Sequence, residues 1–268
     1  MKNPNSKSDP LVSCLMVTLG GSKRLPLIKR SIQCFRKQSY DNKELVIVLD
    51  SVLPSWRRQM SRLVESYRSP HIRLITVSGR HKLGSLRNLS VKNARGEILC
   101  QWDDDDLSHP RRIEEQLRLL KKKNADAVLL EDAFHVFLEG NTVFWVNWSF
   151  SPDRGLPGTL MIRKNSCPKY PALSRKEDSA FTQLLLKRRK VVPLRSMPQL
   201  YVYICHENNT WGLDHHFKNA LLFAVTRKKI LPLKKNLLSG LREAGFVTTQ
   251  LVFRDRRGPI FTWRKRSG

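Results

Sequence analysis

Four consecutive carboxylates, Asp103-Asp104-Asp105-Asp106, follow directly on the short apolar run Ile98, Leu99, Cys100 and Trp102. After the stop signal Ala94-Arg95-Gly96 such a run reads as a strand buried inside a sheet, so the aspartates stand where that strand emerges. In open α/β sheets the crevice at the carboxyl ends of the strands is where ligands bind. Adjacent carboxylates repel one another, and limited solvation sharpens the repulsion. A divalent cation relieves it. Hard oxygen ligands suit magnesium or manganese, and magnesium is usually held by one or two carboxylates plus substrate phosphates. The competing reading is an acidic turn that caps the next helix, because Asp106 and Ser108 both precede the periodic segment Ile113, Leu117, Leu120. The run by itself divides evenly between the two.

Three further sites bear on that choice. Asp50 ends the wholly apolar segment Leu45 to Leu49, so it and the aspartate run can face one crevice. A nucleotide diphosphate needs both: one carboxylate to accept hydrogen bonds from a base or ribose, another to hold the metal that neutralises the diphosphate. A strand-end turn with Ser51 would explain Asp50 if it stood alone. Glu177-Asp178 opens a helical segment, where capping accounts for one acid and a general base accepting a proton from an attacking hydroxyl accounts for the other. His206 follows the strand-like Tyr201-Val202-Tyr203-Ile204-Cys205, a position more often on the surface than at a ligand.

The elements that must position these residues alternate. Leu11 to Leu19 reads as a strand, then a glycine turn, then a helix with Pro26 in its first turn and Ile28, Ile32 and Phe35 on one face. Leu45 to Leu49, a helix with Trp56, Met60, Leu63 and Tyr67 inward, the strand Ile72 to Val77, and a short helix from Gly84-Ser85 to Gly96 precede the aspartate strand. That order is the signature of a doubly wound α/β domain with parallel strands. Beyond residue 125 the pattern turns mixed: a strand Ala127 to Leu130, a hairpin Phe134 to Val146 turning at Glu139-Gly140-Asn141, a strand Thr159 to Ile162, a helix Ser174 to Arg189 and a strand Leu200 to Ile204. Leu221 to Val225 is predicted helical.

Composition limits the partners. Lysine and arginine total 49 against 23 acids in 268 residues, a formal charge of +26 that favours polyanions: nucleic acid, an anionic membrane surface or phosphorylated substrates. From 213 onward, 13 basic side chains face 3 acidic ones, a local net of +10. Five cysteines without metal-ligand spacing fit a reducing, cytoplasmic setting. No apolar run approaches the roughly 20 residues of a transmembrane helix. Lys2 and Lys7 ahead of Leu11 to Leu19 imitate a signal peptide, but Asp9-Pro10 fits it poorly and the segment is better used as a buried strand.

In chain order, Val12 to Thr18, Tyr40 to Asp50, Gly84-Ser85-Leu86-Arg87-Asn88, Ala94-Arg95-Gly96-Glu97 and Asp103-Asp104-Asp105-Asp106-Leu107-Ser108-His109-Pro110 resemble family 2 glycosyltransferases of the GT-A fold over roughly residues 11 to 210. The resemblance implies a Rossmann-like nucleotide-binding half with a mixed central sheet, and a smaller acceptor-binding half. It makes Asp50 the base-binding aspartate and sets Thr18, Arg87 and Asn88 near the nucleotide, diphosphate and sugar. Asp103 and Asp105 match the DxD motif, Asp105 as metal ligand and Asp103 nearer the ribose, with Asp104 a spacer and Asp106 left as the helix cap. Asp178 becomes the catalytic base, Gly158-Thr159 lines the donor sugar pocket, and His206 reaches the diphosphate or the Mn2+ or Mg2+ ion. Val17 stands where the family commonly has a proline before the threonine, Leu19-Gly20-Gly21 where it has an asparagine soon after it, and Leu49-Asp50 replaces a frequent double aspartate.

The expectation is therefore an inverting, metal-dependent transfer of a sugar from a nucleotide-diphosphate sugar to a saccharide or lipid-linked acceptor, in surface polysaccharide or glycoconjugate synthesis. The domain reading is an extension at 1–10, a catalytic domain at 11–212 divided into a donor half (11–125) and an acceptor half (126–212), and a basic C-terminal extension at 213–268. The protein is expected in the cytoplasm, with the basic segment able to hold it peripherally on the inner face of the cell membrane. The rival is a nucleic-acid-binding protein. Against it, the basic residues lack an interleaved aromatic stacking pattern and the crevice is acidic.

Overall fold

The computed structural model describes residues 9–265; Lys2, Lys7 and most of the extension read at 1–10 lie outside them. The first half alternates as the spacing implies: β1 (Val12–Thr18), α1 (Leu25–Arg36), β2 (Lys43–Asp50), α2 (Pro54–Ser66), β3 (Ile72–Val77), α3 (Leu83–Asn93), β4 (Ile98–Gln101), the short β5 (Leu107–Ser108) and α4 (Arg112–Lys122). The second half holds β6 (Ala127–Leu130), β7 (Asp132–Phe137), β8 (Thr142–Asn147), β9 (Leu156–Arg163), α5 (Glu177–Arg188), β10 (Val191–Leu194) and β11 (Tyr201–Cys205). Five helices and strands follow: α6 (Leu213–Leu222), α7 (Arg227–Ile230), α8 (Lys234–Glu243), β12 (Gln250–Asp255) and β13 (Gly258–Arg264).

Seven strands form the first sheet in the order β10-β6-β9-β4-β1-β2-β3. Leu45, Ile47 and Leu49 pack into the core on one face with Ile28 and Ile32 of α1, while Val46 packs on the other with Leu15, Leu99 and Phe181. Both faces of the sheet are therefore covered, which is why its central strands read as unbroken apolar runs. The sheet is not wholly parallel, as the alternation alone implies. β9 runs antiparallel between β4 and β6, and so carries Gly158 alongside the end of β4.

Six strands form the second sheet, in the order β13-β12-β8-β7-β11-β5. β7 and β8 are the expected hairpin, with Gly140 at φ 72 in its turn. The segment from 213 is no detached appendage. β12 pairs in parallel with β8, and Leu237, Leu241, Phe246 and Phe253 join the same core as the first sheet. The helix expected at Leu221 to Val225 instead ends at Leu222, because Ala224 bridges to Val146 and the Val225 N–H donates to the Trp145 carbonyl at 2.8 Å. β12 pairs with β8 only as far as Phe144, so beyond it the backbone groups on that side of β8 are left for this short apolar segment to satisfy.

One buried acid fixes the start of the aspartate strand. Glu44 on β2 accepts hydrogen bonds from Ser13 Oγ (2.7 Å), the Arg95 N–H (2.6 Å) and Arg73 (3.0 Å), and Ser13 Oγ in turn accepts the Gly96 N–H at 2.8 Å. A Cβ at Gly96 would stand 2.4 Å from the Leu11 carbonyl, so only glycine lets β4 begin this close to β1. Burial alone would raise the Glu44 pKa, but these donors hold it below its ordinary value. A carboxylate depressed in the folded state contributes stability that is present above its unfolded pKa and lost as pH falls through the folded one. Glu44→Gln is expected to cost about 1–3 kcal/mol in denaturant unfolding at neutral pH, and the gap to wild type is expected to narrow below about pH 4.

Candidate active site

The carboxyl ends of β1 and β4, the start of α5 and one face of the second sheet enclose a cavity of about 820 Å³. Thr18, Arg87, Asp103 to Asp106, Gly158, Glu177 and Asp178 line it. The four aspartates have four different environments.

Asp103 accepts a hydrogen bond from Gln101 Nε2 (3.1 Å) at one oxygen and from the Tyr201 hydroxyl (3.0 Å) at the other. A Cβ at Gly158 would lie 2.6 Å from that second oxygen, so the glycine lets β9 pass against the carboxylate. Asp104 is not a spacer. It pairs with Arg24 at 2.9 Å, while its Oδ2 is buried with no partner; burial, reinforced by Asp105, raises its pKa to about 7. Asp105 sits 3.4 Å from both Arg24 Nη2 and His206 Nε2, and its carbonyl accepts from Arg30 at 2.7 Å. Asp106 is not the helix cap either. It accepts the Ile204 N–H at 2.8 Å and the Tyr201 hydroxyl, and so ties the motif to β11, whereas α4 starts at Arg112 with no side-chain cap. Burial and the charges of Asp105 and Asp103 hold Asp106 well above the usual carboxylate range.

The Glu177-Asp178 pair divides. Glu177 is buried, with Arg87 Nε at 2.9 Å, and the other arm of Arg87 reaches 3.9 Å from Asp103. Burial works against the Arg87 charge, but Asp103, Tyr170, Glu177 and Asp178 outweigh it and raise its pKa. Asp178 faces the cavity, and its Oδ1 accepts the Ser179 N–H at 2.7 Å. Lys176, at φ 60, makes the left-handed turn that starts α5 there.

Four expected residues do not line the cavity: Asp50, Asn88, Thr159 and His206, the last standing behind Asp105 with its Nε2 3.4 Å from that carboxylate. Asp50 lies behind His81, whose N–H (2.8 Å) and ring Nδ1 (3.2 Å) meet its Oδ2, while its Oδ1 is buried with no partner. The Asn88 amide is spent on Tyr170, donating to its carbonyl at 2.9 Å and accepting its N–H at 2.8 Å. Thr159 turns into the sheet, donating to the Leu156 carbonyl at 2.6 Å and accepting the Leu130 N–H at 2.9 Å where β6 and β9 shift register.

Conversely, Arg24 and Asp153 belong to the site without a signal in the sequence. Arg24 is delivered by the Gly20-Gly21 turn (φ 69 and 112) that departs from the usual pattern. Asp153 accepts from Ser179 Oγ (3.0 Å) and Gln183 (3.2 Å) beside Asp178, and burial raises its pKa.

The donor set bears on a metal. Among the described residues no group of three or more His, Cys, Asp and Glu side chains is arranged to hold an ion. Asp105 on the cavity wall and His206, 3.4 Å from it, offer two donors, and Arg24 supplies positive charge at the same carboxylate. Two protein ligands, with phosphate oxygens and water completing the shell, fit magnesium or manganese. In the present arrangement His206 Nδ1 accepts the Asn208 N–H at 3.1 Å, so ligation through Nε2 requires the ring proton to move to Nδ1 and that contact to open.

The family model described as glycosyl transferase family 2 matches residues 14–165. The chain belongs to glycosyl transferase family 2. The match includes all four aspartates and ends before Asp178 and His206. Among family 2 relatives, a protein of Escherichia coli (strain K12) named as the colanic acid biosynthesis glycosyl transferase WcaA is 33% identical over 186 residues, 69% of this chain and 56% of that one. An uncharacterised glycosyltransferase of Methanocaldococcus jannaschii is 27% identical over 134 residues, 49% of this chain and 44% of the other. The chain thus spans about half the length of these relatives. S. aureus TarS 1-349 in complex with UDP superposes with a TM-score of 0.60 at 16% identity, covering 87% of this chain and 80% of that one. A mannosyltransferase of Pyrobaculum calidifontis in complex with GDP-Man and Mn2+ gives 0.57 at 15% identity, covering 89% and 74%. These likenesses establish the GT-A fold of this family 2 member.

Proposed function

We propose that the chain transfers a sugar from a nucleotide-diphosphate sugar to an acceptor hydroxyl, with inversion and with Mn2+ or Mg2+, in surface polysaccharide or glycoconjugate synthesis. The observation that carries this reading is the meeting of Asp103, Asp105, Arg87 and Asp178 on one cavity. The nucleotide sugars and Mn2+ held by the TarS and Pyrobaculum proteins, and the polysaccharide role in the E. coli relative's name, support it.

Asp178 takes the acceptor proton as the hydroxyl oxygen attacks the anomeric carbon, and the bond to the diphosphate breaks with its electron pair on the phosphate oxygen. Its Oδ1 is fixed by the Ser179 N–H, which leaves Oδ2 to receive that proton. When bound, a divalent cation held by Asp105 and His206 supplies positive charge to the leaving diphosphate. Arg24, now paired with Asp104 and Asp105, is placed to turn its guanidinium to the phosphates. Asp103 faces the ribose, and Asp50 reaches the base once His81 gives way. The nucleic-acid reading has no comparable support, because an acidic cavity floor repels a polyanion. The direct test is incubation with UDP-, GDP- and dTDP-sugars plus manganese, with or without saccharide acceptors. Release of nucleotide diphosphate from one donor class is the expected result, and none from any donor would overturn the reading.

The same proposal places the protein in the cytoplasm, peripheral on the inner membrane face and close to a lipid-linked acceptor. Among the described residues no helix is long and apolar enough to cross a membrane. What favours a surface dock is the exposed pair Leu231 and Leu233, set between Arg227-Lys228-Lys229 and Lys234-Lys235. Because β12 belongs to the second sheet, removing the segment would unfold the protein rather than probe it. Lys228→Glu with Lys235→Glu is instead expected to lower sedimentation with anionic liposomes several-fold and to leave neutral vesicles unaffected; equal binding by both proteins would contradict the dock.

A further inference from the structure

Helix α1 and its N-cap residue touch the aspartate run at three places that differ in kind. Arg30 donates to the Asp105 carbonyl at 2.7 Å and Ser31 Oγ to the Asp103 carbonyl at 2.7 Å, so these two fix the backbone of the motif. Arg24, at the N-cap, meets the carboxylates instead. Its Nη1 stands 2.9 Å from Asp104 Oδ1 and its Nη2 3.4 Å from Asp105 Oδ2. His206 Nε2 lies 3.4 Å from that same Asp105 oxygen, so the guanidinium occupies the very atom that the two-donor site offers a divalent cation. Two cations on one carboxylate oxygen repel each other strongly. With the Asp105 side chain only 12% exposed, water and salt screen that repulsion poorly.

Little but these two acids keeps the Arg24 side chain in place. Its backbone is anchored, the N–H donating to the Gly21 carbonyl at 3.0 Å, but the guanidinium ends an unbranched chain that lines the cavity. That side chain is 23% exposed. It also stands at the amino end of α1, whose first turn carries no acid, and the amino terminus of a helix is its positive end. The helix therefore repels Arg24 rather than holding it. A diphosphate in the same cavity offers oxygens of equivalent charge, and arginine takes phosphate and carboxylate with the same two-pronged geometry.

We propose that Arg24 is a built-in counter-ion that keeps divalent cations off Asp105 until a nucleoside diphosphate draws it away, so that cation and donor load together. The inference rests on the glycosyltransferase reading above and adds to it how the metal site of that reading is regulated. The coupling runs both ways by linkage. Whatever factor the diphosphate adds to cation affinity, the cation adds to the affinity for the diphosphate.

The test titrates Mn2+ alone into the full chain, with the electron paramagnetic resonance signal of the aqueous ion reporting what stays unbound. Arg24→Met is expected to bind Mn2+ about tenfold or more tightly than the wild type, with Arg24→Lys between the two. Lys23→Met removes an exposed neighbouring charge and is expected to stay within about twofold of the wild type. Asp105→Asn in the Arg24→Met background is expected to abolish the gain. A folding defect does not produce tighter binding, and unliganded melting temperatures identify any such defect. UDP or GDP is then added, and is expected to raise the Mn2+ affinity of the wild type by a larger factor than that of Arg24→Met. Equal Mn2+ affinity in wild type and Arg24→Met, a gain matched by Lys23→Met or surviving Asp105→Asn, or an equal enhancement by nucleotide in both proteins would overturn the counter-ion role. Tighter Mn2+ binding by Arg24→Met, with no nucleotide or nucleotide sugar altering it in any protein, would uphold the competition at Asp105 and overturn the transferase reading beneath it.

Discussion

Asp178→Asn is expected to lower sugar transfer by about a hundredfold to ten-thousandfold, the range that a positioned general base contributes, while donor binding with manganese stays within about twofold of wild type. The substitution preserves shape and the hydrogen bond from the Ser179 N–H, and removes only the capacity to take a proton. Loss therefore falls on kcat rather than on donor affinity. The neighbouring Asp153 is the obvious substitute base, being buried on the same wall, but both of its oxygens already accept hydrogen bonds from Ser179 and Gln183. Asp153→Asn is expected to leave most of the rate. Wild-type turnover in Asp178→Asn, with loss in Asp153→Asn, would transfer the role from one to the other.

Arg87→Met is expected to cost about 3–5 kcal/mol of folding stability, because it leaves buried Glu177 without its partner and weakens the compensation of Asp103. For a chain of this size that corresponds to a fall in Tm of about 6–20 °C. Burial already raises the pKa of Glu177, and Arg87 is the main opposing influence. Without the guanidinium, Glu177 is more stable protonated, so the deficit is expected to shrink as pH falls toward 5. Arg87→Lys keeps the charge but not the Nε contact at 2.9 Å, and is expected to recover only part of the loss. Thermal unfolding of the three proteins at pH 5 and pH 7.5 checks both claims; a Met variant as stable as wild type at neutral pH would remove Arg87 from its proposed place.

What could be read from the chain and what could not separates along sequence distance. The strand ends carrying Asp50 and the aspartate run, and the helix start carrying Asp178, follow from local periodicity, since apolar runs and turn residues lie within a few positions of the acids they place. The identities of Asp104 and Asp106 were not legible, because their partners, Arg24, Ile204 and Tyr201, are brought in by the turn after β1 and by β11 of the other sheet. The same holds for Thr159, which looks like a pocket residue by position and is drawn inward by the register shift between β6 and β9. Asp50 was placed correctly at its strand end, but a loop histidine thirty-one residues on now covers it. The basic C-terminal segment is hard to place from composition, and its role in the sheet depends on a parallel pairing of β12 with β8 that no local pattern encodes.

The stack of His135 on Tyr203 was not legible for a related reason. Seven histidines without ligand spacing carry little information as a list. Only the pairing of β7 with β11, which sets His135 opposite Tyr203, places one of them on the cavity wall.

The central claim is that the aspartate-lined cavity binds a nucleotide-diphosphate sugar together with a divalent cation at Asp105. Calorimetric titration of UDP- and GDP-sugars, with and without manganese, into wild type and Asp105→Asn tests it most directly. Manganese-dependent binding of one donor by the wild type, reduced at least tenfold in the variant, is the result predicted here. Equal manganese-dependent binding by both proteins, or no donor binding by the wild type at any manganese concentration, would contradict it.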